Sequence, residues 1–305
     1  MPVGSYRVAL SAAALILACA GASAQQLEPR AYANVPIGLN FLIVGYAYSA
    51  GDVLPDPSIP AQDVNATIHG LAAAYSRSLD LWGRSGQLGV LVPYVTASVN
   101  GRLEGIPESV DRSGFADPSV KLSMNFYGAP ALSLQEFEDY RQSTIVGASL
   151  LVTAPWGQYD ANEIVNIGTN RWSFKPELGV SQALGKWVLE TALGVTFFTD
   201  NDEFQVDKTR EQAPLYAAQF HVVYNFRQGM WAALDGTYYA GGRTTVDGQE
   251  RDDLQRSWRW GLTGALPVNK YHSLKLYAST GVFTRTGTDF NVLGLAWQYR
   301  WGAGL

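Results

Sequence analysis

The feature that most constrains the fold is an alternation of apolar and polar side chains, which recurs in one segment after another from about residue 120 onward. The last such segment, DFNVLGLAWQYRWG, would carry leucine, tryptophan and tyrosine on one face of an extended strand, with Gln298 and Arg300 on the other. A period of two residues is typical of β-strands whose two faces meet different surroundings. A soluble sandwich and a membrane barrel both produce this pattern, because lipid can take the place of a protein core.

The links between the predicted strands decide between these two folds. The clearly alternating segments, a weaker one at TIVGASLLVT and three poorly alternating ones near residues 37–49, 64–79 and 87–100 make about twelve strands. Tight links such as ALGKW and FRQGMW take turns with long polar links around residues 50–63, 101–117, 155–170, 199–214 and 243–252. Short turns at one end and long loops at the other are the layout of an outer-membrane barrel with both termini in the periplasm. We therefore predict an all-β fold, a transmembrane antiparallel up-and-down β-barrel of about twelve strands.

The composition favours strands over helices as the membrane-spanning elements. Charged residues make up 16% of the chain, against roughly 25% in typical soluble domains. The mean hydropathy is only −0.04, and beyond the N-terminus no run of about 18 apolar residues could form a spanning helix. A net charge of −5 argues against nucleic acid as a partner.

The N-terminal segment predicts export. Arg7, an apolar run from about Val8 to Ala18 and the motif Ala22-Ser23-Ala24 form a signal peptide over residues 1–24, which leaves residues 25–305 as one outer-membrane β-barrel domain. Processing as a lipoprotein at Cys19, within ILAC, is the alternative. Either way the expected location is the bacterial outer membrane. Cleavage after Ala24 also removes the only cysteine, which excludes a disulfide framework, a cysteine-ligated zinc or a thiol nucleophile.

Two local features depart from a regular barrel. Pro93 and Pro176 fall inside predicted strands, where each removes a ladder donor, and we expect β-bulges there. The link PALSLQEFEDYRQS contains a capping box, Ser133 with Glu136, followed by apolar residues at helical spacing. This predicts a short amphipathic helix, which either lies against the barrel rim or forms a lid over the periplasmic mouth.

Tryptophans mark the two edges of the predicted membrane span. Most of them lie near predicted strand ends, as the aromatic girdles of an outer-membrane barrel require. Trp231 fits this interpretation less well, because the alternation places it on the interior face. The tryptophans concerned are Trp172, Trp187, Trp231, Trp258, Trp260, Trp297 and Trp301.

Several segments resemble a known family of bacterial outer-membrane proteins. The resemblance is carried by NIGTNRWSFKPELGVSQALGKWVLETALGVTFFTDNDEF, EQAPLYAAQFHVVYNF, YYAGGRTTVDG and RTGTDFNVLGLAWQYRWG, with GFADPSV and LLVTAPWGQYD before them. The family is named for the meta-pathway of phenol degradation, and its members are described as transporters. The resemblance implies a barrel for the uptake of aromatic or other hydrophobic small molecules. The implied partners are outer-membrane lipid, a small-molecule solute and the barrel-assembly machinery, without a cofactor.

The polar faces of the predicted strands supply candidate residues for a transport path. A basic bias among them would attract carboxylates or phenolates, whereas charges that neutralise one another would fill the interior. Eight strands leave room only for side chains and sixteen leave an aqueous channel, so twelve leave a narrow pore and a plugged interior both open. The candidates are Lys121, Asn125, Lys175, Glu177, Glu190, Gln219, His221, Asp235, Arg259, Lys275, Tyr277, Arg285 and Arg300.

Signals of catalysis or of metal binding are weak. The histidines are His69, His221 and His272, with no spacing that supports a metal site, and the chain has no G-x-S-x-G motif. A single interior histidine is more often a hydrogen-bonded filler, so we do not expect an enzyme. Two functions from different classes remain: a channel for small, aromatic or hydrophobic compounds, and a non-conducting structural or surface-binding barrel whose long loops carry the function.

Overall fold

The computed structural model describes residues 28–54, 61–103, 105–163, 165–282, 284–285 and 287–305. The predicted signal peptide and Cys19 lie outside these residues. Among the residues that are described, no helix is both long and apolar enough to cross a membrane.

The described chain is built almost entirely from antiparallel strands. In chain order they are β1 (Leu39–Leu54), β2 (Ala61–Leu81), β3 (Arg84–Leu103), β4 (Ile106–Phe115), β5 (Ser119–Tyr127), β6 (Thr144–Thr153), β7 (Ser173–Leu184), β8 (Trp187–Phe198), β9 (Asn201–Phe204), β10 (Lys208–Gln212), β11 (Leu215–Arg227), β12 (Met230–Gly241), β13 (Thr244–Val246), β14 (Gln249–Glu250), β15 (Gln255–Pro267), β16 (His272–Val282) and β17 (Gly287–Gly302).

Twelve of these strands close into a barrel: β1, β2, β3, β5, β6, β7, β8, β11, β12, β15, β16 and β17. The first and last strands close the ring, because β1 pairs with β17 along its whole length, from Leu39 opposite Gly302 to Leu54 opposite Gly287. Closure leaves no strand edge in the hydrocarbon, where each unsatisfied backbone group would cost several kcal/mol. The predicted twelve-stranded all-β barrel is confirmed.

The alternation in the sequence matches the two faces of the wall. On β17, Leu293 and Leu295 point outward and are 61% and 44% exposed. The side of the chain that carries Gly294 and Ala296 faces the interior, which we call the lumen. Outward apolar residues would be unstable in water but are stable against lipid tails, so the wall has the surface chemistry of a membrane-embedded barrel.

Aromatic side chains form bands at both ends of the barrel. We call the end where β1 begins and β17 ends the terminal end, and the opposite one the loop end. The stack Trp297–Tyr299–Trp301 lies toward the terminal end, with adjacent ring centroids 6.3 and 5.3 Å apart. Trp258 and Trp260 stack toward the loop end. These bands are the predicted girdles, and Trp231 lies outside them because it points into the lumen.

The two prolines in the wall differ in their effect on strand register. Leu91 lies opposite Ser119 whereas Tyr94 lies opposite Phe115, so the register shifts by one residue across Pro93. Pro93 lies where the neighbour of β3 changes from β5 to β4, and its carbonyl accepts from the Ala116 N–H at 2.9 Å. Pro93 has no N–H to donate on the side where its carbonyl accepts. That side is the junction between β4 and β5, where no ladder bond is required. At Pro176 the β7–β8 ladder is interrupted, but the register is the same on both sides of the gap. The expected bulge is therefore present at Pro93 as a one-residue register shift, and the expectation of a bulge at Pro176 is wrong.

The predicted helix at the terminal end is shorter than expected. The capping box forms, since the Ser133 N–H and hydroxyl donate to Glu136 Oε2 at 2.8 and 2.7 Å. It caps only a 3₁₀ turn, Glu136–Glu138. The Tyr140 hydroxyl then donates to the Gly128 carbonyl at 2.8 Å, which fixes the end of the link. A single turn with no buried residue is too short to act as an amphipathic helix.

The loop end carries a second, smaller sheet. Its strand order is β14-β13-β10-β9, and it is formed by the two links that follow β8 and β12. The link between β6 and β7 folds inward: Val165 and Ile167, each 2% exposed, join an apolar cluster with lumen-facing residues of β1, β2 and β3. The mouth at this end is therefore narrowed by packed chain.

Candidate functional site: the barrel interior

Most of the predicted transport-path residues do face the lumen. Two lie elsewhere: Arg285 is in the link after β16 and pairs with Asp252 at 2.7 Å, and Arg300 donates to the Lys270 carbonyl at the terminal rim at 2.7 Å. The interpretation of Arg285 as a wall residue is wrong, because β16 ends at Val282. The residues at lumen-facing wall positions are Lys121, Asn125, Lys175, Glu177, Glu190, Gln219, His221, Asp235, Arg259, Lys275 and Tyr277.

One group of these residues is centred on the carboxylate of Glu177. Its Oε2 accepts from Gln219 Nε2 at 2.9 Å and pairs with Lys175 Nζ at 3.1 Å. Its Oε1 accepts from the Tyr32 hydroxyl at 3.0 Å. A carboxylate that is only 6% exposed needs such donors, because an unpaired buried charge is strongly unfavourable. The network therefore holds this part of the wall in one arrangement.

A second group links β11, β12 and β15. His221 Nδ1 lies 2.7 Å from Asp235 Oδ1, and the Thr263 hydroxyl donates to Asp235 Oδ2 at 2.6 Å. Asp235 has no exposed surface. Both carboxylate oxygens of Asp235 thus contact side chains of neighbouring strands. His221 is one of these side chains, as expected of a hydrogen-bonded histidine that fills the interior.

The chain that precedes β1 enters the lumen, a feature that the sequence analysis missed. Glu28 forms a salt bridge with Lys121. The Arg30 backbone N–H donates to Glu190 at 2.6 Å, and its guanidinium donates to Asn225 at 2.6 Å. The same guanidinium lies 5.7 Å from the ring centroid of Trp231, which accounts for that inward tryptophan. We call residues 28–38 the N-terminal segment.

The ring of Tyr32 occupies a niche made by two glycines. Gly147 on β6 and Gly179 on β7 are directly paired across the strands. A Cβ atom at Gly147 would come within 2.6 Å of Tyr32 Cδ1, and a Cβ at Gly179 would overlap the same ring. The ring therefore fits only because both wall positions lack a side chain. Two lumen-facing glycines at paired positions are the sequence signal that could have pointed to this niche.

The lumen has two chemically different sides. Most of the charged side chains at lumen-facing wall positions among the described residues project from the strands between β5 and β16. The inward faces of β1, β2 and β3 are largely apolar instead. This apolar wall consists of Phe41, Ile43, Gly45, Ala47, Val64, Ala66, Ile68, Gly70, Ala72, Ala74, Gly89, Leu91, Pro93, Val95, Ala97 and Val99, with a few serines at its ends.

The side chains of the N-terminal segment bond to the charged side of the lumen. The hydrogen bonds of Glu28, Arg30 and Tyr32 go to this side, where Gln219, His221 and Asp235 are buried while Lys121, Lys175, Glu190 and Lys275 keep intermediate exposure. Near the middle of the apolar wall the inward residues keep intermediate exposure. A Cβ atom built at Gly70 would meet a single atom within 4 Å, the Ala47 carbonyl oxygen at 3.9 Å. Open space therefore remains beside the apolar wall.

Metal coordination finds no support in the part of the chain that the structure describes. No group of three or more histidine, cysteine, aspartate and glutamate side chains is placed to hold a metal ion there.

Comparisons with known proteins agree with this architecture. The COG4313 outer membrane channel from Pseudomonas putida F1 is 22% identical with a TM-score of 0.78, over 90% of this chain and 100% of that chain. The transport unit of the autotransporter AIDA-I from Escherichia coli (10% identity, TM-score 0.49, 91% and 94% covered) and the CymD monoaromatic hydrocarbon channel (6%, 0.44, 88% and 90%) are more distant. No curated protein sequence gives a significant match.

The family comparison covers most of the chain. A family model described as "Putative MetA-pathway of phenol degradation" matches residues 47–299. That range includes eleven barrel strands in full or nearly so, together with both sides of the lumen. The protein is thus a β-barrel of the bacterial outer membrane and belongs to this phenol-degradation family.

Proposed function

We propose that the protein is a passive channel for small aromatic or hydrophobic molecules across the outer membrane. The observation that carries the proposal is the open space beside the apolar wall, opposite a charged side that is hydrogen-bonded to the N-terminal segment. A fold does not by itself fix a function, whereas this division of the lumen favours a particular class of solute. The membership in a family described by phenol degradation supports the same class of solute.

The chemistry of the apolar wall suits a solute with a ring and few polar atoms. An aromatic molecule that moves along Ala72, Ala74 and Leu91 would exchange water for apolar contact at about 25 cal/mol per Å² of buried area. Half of the residues in the apolar wall are glycine or alanine, which leaves room for a ring beside the larger apolar side chains. Polar atoms of the solute would face the N-terminal segment and the charged side.

A test uses neighbouring residues on β2 that point to opposite sides of the wall. Ala72 faces the lumen, and Ala73 faces lipid. We expect Ala72→Trp to reduce single-channel conductance in planar bilayers and to weaken the block of current by added phenol. Ala73→Trp, which adds the same side chain to the outer surface, should leave both unchanged. Equal behaviour of the two variants, or a correctly folded wild-type barrel that carries no current, would contradict the proposal.

A separate observation favours a second candidate function, a non-conducting surface-binding barrel. The small sheet of β9, β10, β13 and β14 gives the loop end an ordered surface, which a surface-binding barrel could use without conducting. Deletion of the β9–β10 hairpin distinguishes the two functions. A channel should keep its conductance or conduct better after this deletion, whereas a surface-binding barrel should show no current before or after it.

A further inference from the structure

Two arginines lie close together at the loop end, where the barrel meets the small sheet. Arg171 comes two residues before β7 and is only 6% exposed. Arg210 lies in β10, on the same face of that strand as Gln212. The Arg171 guanidinium donates to the Gln212 side-chain oxygen, which links the barrel wall to the small sheet. Arg210 keeps intermediate exposure, so solvent reaches this pair from the loop end.

Each guanidinium retains a buried nitrogen without a hydrogen-bond partner. The two atoms are Nη1 of Arg171 and Nε of Arg210. Within the described ranges no carboxylate comes close enough to either arginine to form a salt bridge. A buried donor on a charged group is costly when unpaired, because it has lost its hydrogen bonds to water. In folded proteins such a donor usually pairs with an acceptor of opposite charge. These nitrogens are therefore donors in need of an acceptor.

Three carboxylates are close enough to influence the pKa of Arg171, those of Asp117, Asp200 and Asp253, and two of them accept hydrogen bonds from other donors. Asp117 accepts from the Gly157 N–H at 2.8 Å and from the Thr169 N–H and hydroxyl at 2.8 and 2.6 Å. Asp253 accepts from the Thr244 N–H and hydroxyl at 2.8 and 2.6 Å. Both carboxylates are thus oriented toward backbone and hydroxyl groups rather than toward the arginines.

The electrostatics of the pair agree with this geometry. Burial lowers the pKa of Arg171 well below its ordinary value, and the neighbouring positive charge of Arg210 lowers it further. The pKa of Arg210 is also lowered, chiefly by burial. The carboxylates of Asp117, Asp200 and Asp253 partly offset this lowering at Arg171. An anion between the two guanidiniums would further offset the repulsion between their positive charges.

Aromatic rings surround the two arginines. The Arg171 guanidinium lies 4.5 Å from the ring centroid of Phe198, and that of Arg210 lies 5.6 Å from the centroid of Phe204. Tyr159 is close enough for its hydroxyl to influence the pKa of Arg210. The guanidiniums offer N–H donors for a charged group. The Phe198 ring, which keeps intermediate exposure, offers apolar surface for a ring beside them, whereas Phe204 is buried.

We propose that Arg171 and Arg210 form a binding site for the carboxylate of an aromatic acid at the loop-end mouth of the channel. This inference deepens the proposed function, because it names a class of solute, aromatic carboxylates, that would be captured before passage along the apolar wall. An aromatic acid suits the site better than a phenol, because its carboxyl group is charged near neutral pH whereas a phenol is neutral.

The first test compares ligands on the refolded wild-type protein in detergent, by isothermal titration calorimetry. Benzoate carries both the ring and the charge, phenol the ring with little charge, and acetate the charge without the ring. We expect benzoate to bind at least tenfold more tightly than either of the others, and high salt to weaken its binding. Equal affinity for benzoate and acetate, or no benzoate binding at all, would overturn the proposal without the need for a variant.

The second test assigns the site to the two arginines. Arg171→Gln and Arg210→Gln should each weaken benzoate binding at least tenfold. Arg285→Gln is the matched control at the same end of the barrel, because Arg285 is exposed and pairs with Asp252, and it should bind benzoate as the wild type does. Circular dichroism and the heat-dependent shift in gel mobility would show that each variant is folded. Folded Arg171→Gln and Arg210→Gln proteins with wild-type affinity would refute the assignment.

Conductance of the same samples separates this inference from the proposed function. If the protein binds benzoate through the arginines but carries no current, the binding site is supported and the channel function is refuted. If the protein conducts but does not distinguish benzoate from acetate, the channel function is supported and the binding site is refuted.

Discussion

Removal of the Tyr32 ring is expected to release the N-terminal segment from the lumen. The ring is 5% exposed, and its hydroxyl donates to Glu177 at 3.0 Å. Truncation of a buried aromatic residue to alanine costs about 3–5 kcal/mol. A loss of about 3 kcal/mol corresponds to roughly a hundredfold change in an equilibrium constant. Tyr32→Ala should therefore raise the released fraction of the segment by about two orders of magnitude.

Thiol labelling and conductance can follow this release. A single cysteine at Ala33, in the otherwise cysteine-free chain expected after cleavage, would report how often the segment leaves the lumen. We expect Tyr32→Ala to accelerate its modification by a membrane-impermeant maleimide and to raise the single-channel conductance. Tyr32→Phe is the matched control, because it keeps the ring in its niche and removes one hydrogen bond to a charged group, worth about 1.5–3 kcal/mol.

Either of two results would show that the Tyr32 ring in its glycine niche does not hold the segment as expected. If Tyr32→Ala labels at the wild-type rate, the ring does not hold the segment. If Tyr32→Phe labels as fast as Tyr32→Ala, the hydroxyl carries the effect and the glycine niche contributes little.

Two further predictions concern the niche and the capping box. Gly179→Ala should push the Tyr32 ring out of its niche and raise the single-channel conductance. Gly70→Ala, a lumen-facing change with no close neighbour, should leave the conductance unchanged. Equal conductance of the two variants would contradict the role of the niche. The hydrogen bonds from Ser133 lower the pKa of Glu136, so the turn should gain stability above the ordinary glutamate pKa and lose it as the pH falls through the lowered value. Ser133→Ala should raise that pKa, which a carboxyl NMR titration would detect; an unchanged pKa would assign the shift to the backbone N–H alone.

The alternating sequence predicted the barrel well from β5 onward, because there the lumen is polar and the outer surface is apolar. The first three strands alternate poorly for a physical reason: their inward faces form the apolar wall, so apolar residues such as Leu91 and Val92 occupy both sides. A pattern of period two cannot appear where both faces are apolar. The weak alternation in the sequence of β1, β2 and β3 therefore reflects the apolar inward face of these strands.

The N-terminal segment could not have been predicted in the same way. It has no regular secondary structure and hence no period, and its partners Lys121, Glu190 and Asn225 are scattered over three strands far along the chain. The arginine pair at the loop end was missed for a related reason. Arg171 and Arg210 stand in links between barrel strands, and only the folding of the β10 hairpin against the mouth brings them together.

The pairing of β1 with β17 has a consequence for how the protein can fold. These strands stand at opposite ends of the described chain, so the contacts that complete the wall join residues separated by nearly its whole length. Such contacts bring the largest loss of chain entropy before they contribute any stability. Until β17 is in place, β1 and β16 each present an unpaired edge that can join a second copy. Closure of the wall therefore requires β17, whose sixteen residues cover the edges of both β1 and β16.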